Sequence, residues 1–144
     1  MNIRKATYHD APEIKSLLEA LGYKAGIRLL VNQLETLFGK DDHQVFVYEW
    51  KKEVVAFIAI HYLPQLAFDG ELVVISHLSV DETVKDLSIG KALEEYVAGL
   101  AKIRNCDRIE VHCSDRQIPA HQFYVQQGYQ DNPKYFTKRL VYAE

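Results

Sequence analysis

Cysteine, proline and glycine are all scarce, at two, four and seven in 144 residues. The few prolines and glycines are scattered, which excludes a collagen-like repeat and a long flexible linker. The two cysteines, Cys106 and Cys113, flank a predicted strand whose extended length holds their backbones too far apart to pair, so both are expected as reduced thiols of an intracellular protein. No apolar run approaches the roughly 18 residues of a membrane span, and the opening MNIRKATYHD has no apolar signal core. Cytoplasmic residence without a membrane partner is the expectation. Charge of one sign is also missing: 17 Lys and Arg against 20 Asp and Glu leave a formal −3. That balance disfavours a nucleic-acid partner but leaves room for a local basic patch facing a phosphorylated ligand. There is no Walker sequence, no dinucleotide fingerprint in its required context and no GxSxG elbow, and the histidines lack zinc-ligand spacing, so no metal is expected.

What is present is apolar patterning, with 48% hydrophobic residues, enough for one core and hence a single domain over residues 1–144. Residues 3–7 read as a short strand, followed by Asp10 and Glu13 as a capping pair for a helix over 10–20 that carries Ile14, Leu17, Leu18 and Leu21 and stops at Gly22. A second helix spans 26–38. Runs rich in β-branched and aromatic residues then predict strands at 45–50, 54–62 and 72–80, paired antiparallel in sequence, with turns at 51–53 and at Asp69-Gly70. A long helix over 88–103, a strand over 107–113, a short helix over 119–127 and an extended tail over 135–142 follow. Strands interrupted by helices imply an α/β fold, a mixed sheet sharing its core with covering helices.

The segment VDETVKDLSIGKAL, together with AHQFYVQQGY downstream, resembles the GNAT acetyltransferase superfamily, and the element order agrees over the chain. The resemblance implies a mixed, mostly antiparallel central sheet flanked by helices. It also implies a turn for acetyl-CoA made by Lys85, Asp86, Leu87, Ser88, Ile89, Gly90 and Lys91. In that turn Lys85 stands where relatives carry Arg or Gln, Ser88 stands at the first characteristic glycine, and Gly90 retains the second. The physical basis is general: a helix start presents unpaired N–H groups to pyrophosphate oxygens along the helix dipole. The backbone of Leu78 and Val80 is expected to pair with the pantetheine arm.

In the same resemblance Tyr124 is the residue whose hydroxyl protonates the departing thiolate. His77 stands in the strand beside the thioester, where many relatives carry an acid, and an imidazole there can take a proton from an ammonium substrate. Direct attack by the amine requires neither cysteine as a nucleophile. Tyr23, Lys24 and Arg28, at the junction of the first two helices, are expected at the acceptor, with Glu71 as a carboxylate for a cationic acceptor. The function implied is acetyl transfer from acetyl-CoA to a primary amine of a small molecule, with similarity to the aminoalkylphosphonate-acetylating branch. A catalytically inactive acetyl-CoA-binding sensor and a protein N-acetyltransferase are the alternatives. A homodimer, through a sheet edge or the surfaces of the first two helices, stands beside a monomer.

Overall fold

The computed structural model describes residues 2–112, 118–132 and 136–141, and Cys113 lies outside them. Two compact units divide the chain, Met1–Val111 and His112–Glu144.

The first unit is built on a sheet of five strands in sequence order: β1 (Ile3–Lys5), β2 (His43–Trp50), β3 (Glu53–Leu63), β4 (Leu72–Val80) and β5 (Arg108–Val111). The first four pair antiparallel, and β5 joins β4 in parallel. This is the mixed α/β fold expected, a mostly antiparallel sheet flanked by helices. The turn between β2 and β3 is Lys51-Lys52, both at positive φ, the backbone that lets a two-residue loop follow the sheet twist.

Side chains alternate across the sheet, giving two apolar layers. Val45, Val47, Phe57 and Ala59 meet Ile14, Leu17 and Leu18 of α1 (Ala11–Ala20) and Leu30 and Leu34 of α2 (Ile27–Phe38). The other face carries Phe46, Ile58 and Ile60 and is covered by α3 (Ile89–Ile103), whose Ile89, Leu93 and Val97 are fully buried.

Asp10 takes the N-cap position of α1, as its spacing from Glu13 predicts, but its side chain makes no capping bond to the helix. Its backbone is helical and closes a 3-10 turn, Tyr8–Asp10, while its carboxylate accepts from the Thr7 N–H at 2.7 Å and from both Arg4 Nη atoms at 2.8 and 2.9 Å. The bidentate guanidinium outbids the helix end because it satisfies both oxygens of a carboxyl that is only 4% exposed.

The second unit contains α4 (Ile118–Gln126), closed by a Schellman motif. Gly128, at φ +94°, donates to the Val125 carbonyl and Tyr129 to the Tyr124 carbonyl, both at 3.0 Å, and the Tyr124 and Tyr129 rings pack across the cap. Residues 136–141, where part of an extended tail was expected, form no strand.

Candidate active site

Among the described residues β5 pairs with only the first part of β4. Their parallel ladder runs from Leu72↔Arg108 to Ile75↔Val111, while β4 continues to Val80 with β3 still at its other edge. A bulge falls at the same place: Ala59 pairs His77 and the next residue, Ile60, pairs Ile75, leaving Ser76 as the extra residue. Beyond the bulge the hydrogen-bonding direction is fixed by the Asp81 N–H, which donates to the Val55 carbonyl at 2.8 Å. Counting back in twos, Ser79 and His77 turn their amides to β3, and Val80 and Leu78 turn theirs to the opposite edge of β4. Two of the sequence-derived residues thus present backbone donors and acceptors at the β4 edge away from β3, where no described residue pairs with them.

That edge leads directly into the second half of the site. Asp81 accepts from the Thr83 N–H at 2.9 Å and its hydroxyl at 2.8 Å, starting a 3-10 turn over Glu82–Leu87 that delivers the chain to α3. The first bond of the helix runs from the Ala92 N–H to the Ser88 carbonyl at 3.1 Å, so the N–H groups of Ile89, Gly90 and Lys91 lie ahead of the ladder. The side chain of Ile89 is buried in the core, which leaves its amide for a ligand. Asp86, Leu87 and Ser88 are exposed. Lys85 pairs with Glu82 at 2.7 Å and Lys91 with Glu95 at 3.9 Å, exposed pairs of little strength that a phosphate can displace.

Ser88 caps α3 with its backbone alone. It stands in the left-handed region, φ 58° and ψ 31°, and its hydroxyl makes no capping bond. The turn therefore keeps the conformation a glycine would supply and accepts the strain of a side chain there.

On the α1 and α2 face, the bulge brings His77 and Ser79 into line with Ala59 and Phe57. Ser79 is buried and donates to the Leu17 carbonyl at 2.9 Å, fastening β4 to α1. α1 ends in a Schellman motif, with Gly22 at φ +96° donating to Glu19 and Tyr23 donating to Leu18. This cap turns Tyr23 onto the edge of the His77 ring, with centroids 5.0 Å apart. Burial lowers the His77 pKa, so the imidazole is neutral at neutral pH and holds a free lone pair. Lys24 and Arg28 stay exposed beside Tyr23, at the start of α2.

Glu71 is not brought to this group. It precedes β4, six residues before His77, about 20 Å along an extended chain. There its carboxylate takes Arg104 Nε at 2.7 Å and Nη2 at 3.3 Å, a pair completed by Asp42 at 3.0 Å. Tyr124 lies in the second unit, buried on α4 with its ring against Phe123 and Tyr129. Burial also pushes the Cys106 thiol up, the wrong direction for a nucleophile.

Three polar residues near the bulge escaped the sequence reading. His43 and His61 face each other across β2 and β3 with Nδ1 atoms 2.8 Å apart, and His61 Nε2 lies 2.8 Å from Ser76 Oγ. The available signal was strand alternation: His43 is in phase with Val45 and Val47, and His61 with Ala59 and Phe57.

Comparison with known proteins agrees with the fold. No curated protein sequence matches the chain. Among solved structures, a transcriptional regulator from Bacillus halodurans C-125 is 18% identical, with a TM-score of 0.87 over 96% of this chain and 98% of that one. Glucosamine-6-phosphate N-acetyltransferase from Arabidopsis thaliana is 20% identical, with a TM-score of 0.84 over 96% and 97%. An aminoglycoside acetyltransferase from an uncultured soil metagenomic sample is also 20% identical, with a TM-score of 0.80 over 96% and 95%. At these identities the likeness is one of fold. Residues 11–129, which include β4, the turn into α3 and Tyr124, match the sequence profile of the Acetyltransferase (GNAT) family, and the chain belongs to that family.

Proposed function

We propose that this protein transfers the acetyl group of acetyl-CoA to a primary amine of a small molecule by direct attack. The observation that carries the reading is that the Leu78 and Val80 amides face away from β3, with no described strand paired to them beyond Ile75↔Val111, on the β4 segment that leads into the turn before α3. A pantetheine arm is a chain of amides and can complete the missing ladder there, while its pyrophosphate meets the N–H groups of Ile89, Gly90 and Lys91. Lys85 and Lys91 add positive charge from side chains free to leave their acidic partners.

His77 takes a proton from the acceptor ammonium. The amine nitrogen then attacks the thioester carbon, the C–N bond forms and the C–S bond breaks. Tyr124 supplies a proton to the departing thiolate, and the nitrogen gives up its second proton as the amide forms. The sum converts ammonium and acetyl-CoA into amide, CoA and one released proton. Tyr23, Lys24 and Arg28 line the acceptor side, and their exposed cations favour an acceptor that also carries an anionic group, of which an aminoalkylphosphonate is one example. The sugar phosphate and aminoglycoside enzymes of the same fold name two further acceptor classes to try.

The test is a screen of amines with acetyl-CoA, read by CoA release and by product mass. Acetylated product from a small amine supports the reading. Binding of acetyl-CoA with no product from small amines or protein amino termini overturns it in favour of a binding module.

A further inference from the structure

The end of α1 leaves one carbonyl that the helix does not satisfy. The Leu21 N–H, which would reach Leu17 in a continuing α-helix, turns instead to Leu18 and Glu19, while Gly22 donates to Glu19 and Tyr23 to Leu18. Leu17 is buried, and a buried carbonyl needs a partner. The partner comes from the sheet, where Ser79 Oγ donates to it at 2.9 Å.

A circuit thereby closes on one strand. Ser79 and His77 stand two positions apart on β4 and share the face toward α1 and α2. Ser79 holds Leu17, the next residue, Leu18, holds the Tyr23 N–H at 3.1 Å, and the Tyr23 ring returns to the His77 ring. No hydrogen bond joins the His77 ring to another described side chain, so the orientation of the imidazole rests on packing such as the Tyr23 contact.

We propose that Ser79 is a positioning residue for acetyl transfer: by completing the end of α1 it fixes Tyr23 against His77, and so sets the orientation and the solvation of the base. The proposal rests on the acetyl-transfer reading and adds a residue to it. Ser79 is itself only 4% exposed and its hydroxyl is committed to Leu17, so it acts through Tyr23. Around the imidazole, Tyr23 arrives from the cap of α1 and His61 acts from β3, while the exposed Lys24 and Arg28 follow Tyr23 toward and into α2. Burial is the cause of the lowered His77 pKa, so a Tyr23 that swings free lets water reach the ring and the pKa return toward 6.5.

The experiment combines Ser79→Ala, Tyr23→Leu and the double variant. NMR titration of the His77 imidazole reads its pKa, and transfer to a small amine from pH 5 to 8 reads the rate. Each single variant is expected to raise the His77 pKa toward 6.5 and to move the acid limb of transfer upward with it. Each should lower kcat by about tenfold at pH 8, where the imidazole is neutral in every variant, and leave acetyl-CoA affinity by calorimetry within about twofold. In the Tyr23→Leu background Ser79→Ala should change neither quantity further. Gly22→Ala disturbs the same link without touching β4, since its Cβ has room but strains the cap at φ +96°, and it should shift the His77 pKa in the same direction. A wild-type His77 pKa in Ser79→Ala and Gly22→Ala, or losses in kcat that multiply in the double variant, overturns the positioning role while wild-type turnover keeps the acetyl-transfer reading standing. No transfer by the wild type to any small amine removes that reading, and the proposal with it.

Discussion

Tyr23 and His77 meet edge to face, and two separate backbone devices put them there: the Schellman cap at Gly22 and the bulge at Ser76. The contact buries one side of the imidazole, and that burial lowers its pKa below the ordinary 6.5. A base with a lowered pKa stays neutral further into acid. His77→Gln is expected to reduce the first-order transfer rate about a hundredfold near pH 7, with acetyl-CoA affinity unchanged. The acid limb of the wild-type profile should fall below pH 6.5 if His77 sets it; rapid-quench transfer across pH separates this step from product release.

The same burial has a consequence for stability. His61 and His77 both have folded-state pKa values below the 6.5 of the unfolded chain. Between these values the unfolded chain binds more protons, so stability rises with pH. Their contribution is complete above pH 6.5 and is lost as the pH falls through the lowered values. Thermal melts from pH 7.5 to 5 should show Tm decreasing, with a shallower slope in a His61→Gln, His77→Gln double variant.

Ser88 occupies a left-handed backbone position at the head of α3 without a capping bond to offset the cost. Ser88→Gly is expected to stabilise the fold by about 1 kcal/mol, a rise in Tm of about 2–4 °C. With the loop relaxed and the backbone more open to a phosphate, acetyl-CoA should bind at least as tightly. A loss of stability in denaturant melts would show that the serine hydroxyl contributes more than the strain costs.

Arg4 holds the buried Asp10. Burial alone would raise the Asp10 pKa, yet the Arg4 hydrogen bonds and the Thr7 N–H outweigh it and keep the carboxyl below its usual range. Arg4→Met strands that charge and is expected to cost about 1–3 kcal/mol, discounted because the guanidinium is partly exposed. Adding Asp10→Asn should recover much of the loss, and a double-mutant cycle by urea melts reads the coupling.

Tyr124 on α4 has its ring packed against Phe123 and Tyr129. Tyr124→Phe keeps the ring and removes the hydroxyl. Folding and acetyl-CoA binding should persist while acetyl transfer falls between about ten and ten-thousandfold, the span for a positioned acid. Unchanged single-turnover transfer would take the hydroxyl out of the reaction.

The sheet and helices were legible because their signals are local: β-branched and aromatic runs in His43–Trp50 and Glu53–Leu63, period 3.6 in α1, α2 and α3, and glycines at helix ends. The turn into α3 was suggested by the family resemblance of one continuous segment, VDETVKDLSIGKAL. The rest of the site depends on register. Strict alternation from the buried Val73 and Ile75 would place His77 on the α3 face, and only the extra residue at Ser76 moves it to the α1 and α2 face. No propensity marks a bulge in Ile-Ser-His-Leu. His43 and His61 are 18 positions apart and meet only when β2 and β3 pair, so neither looked like part of a site. For Glu71 the converse holds: its nearness to β4 in sequence said nothing of Arg104, which α3 brings back to it.

Pairing of the pantetheine arm along the far edge of β4 is tested most directly by amide hydrogen exchange, read residue by residue by NMR, with and without acetyl-CoA. The Leu78 and Val80 amides, with those of Ile89, Gly90 and Lys91, should slow markedly on binding, while Ser79, already directed to β3, should change little. Exchange at Leu78 and Val80 that stays the same at saturating acetyl-CoA would contradict pantetheine pairing at this edge.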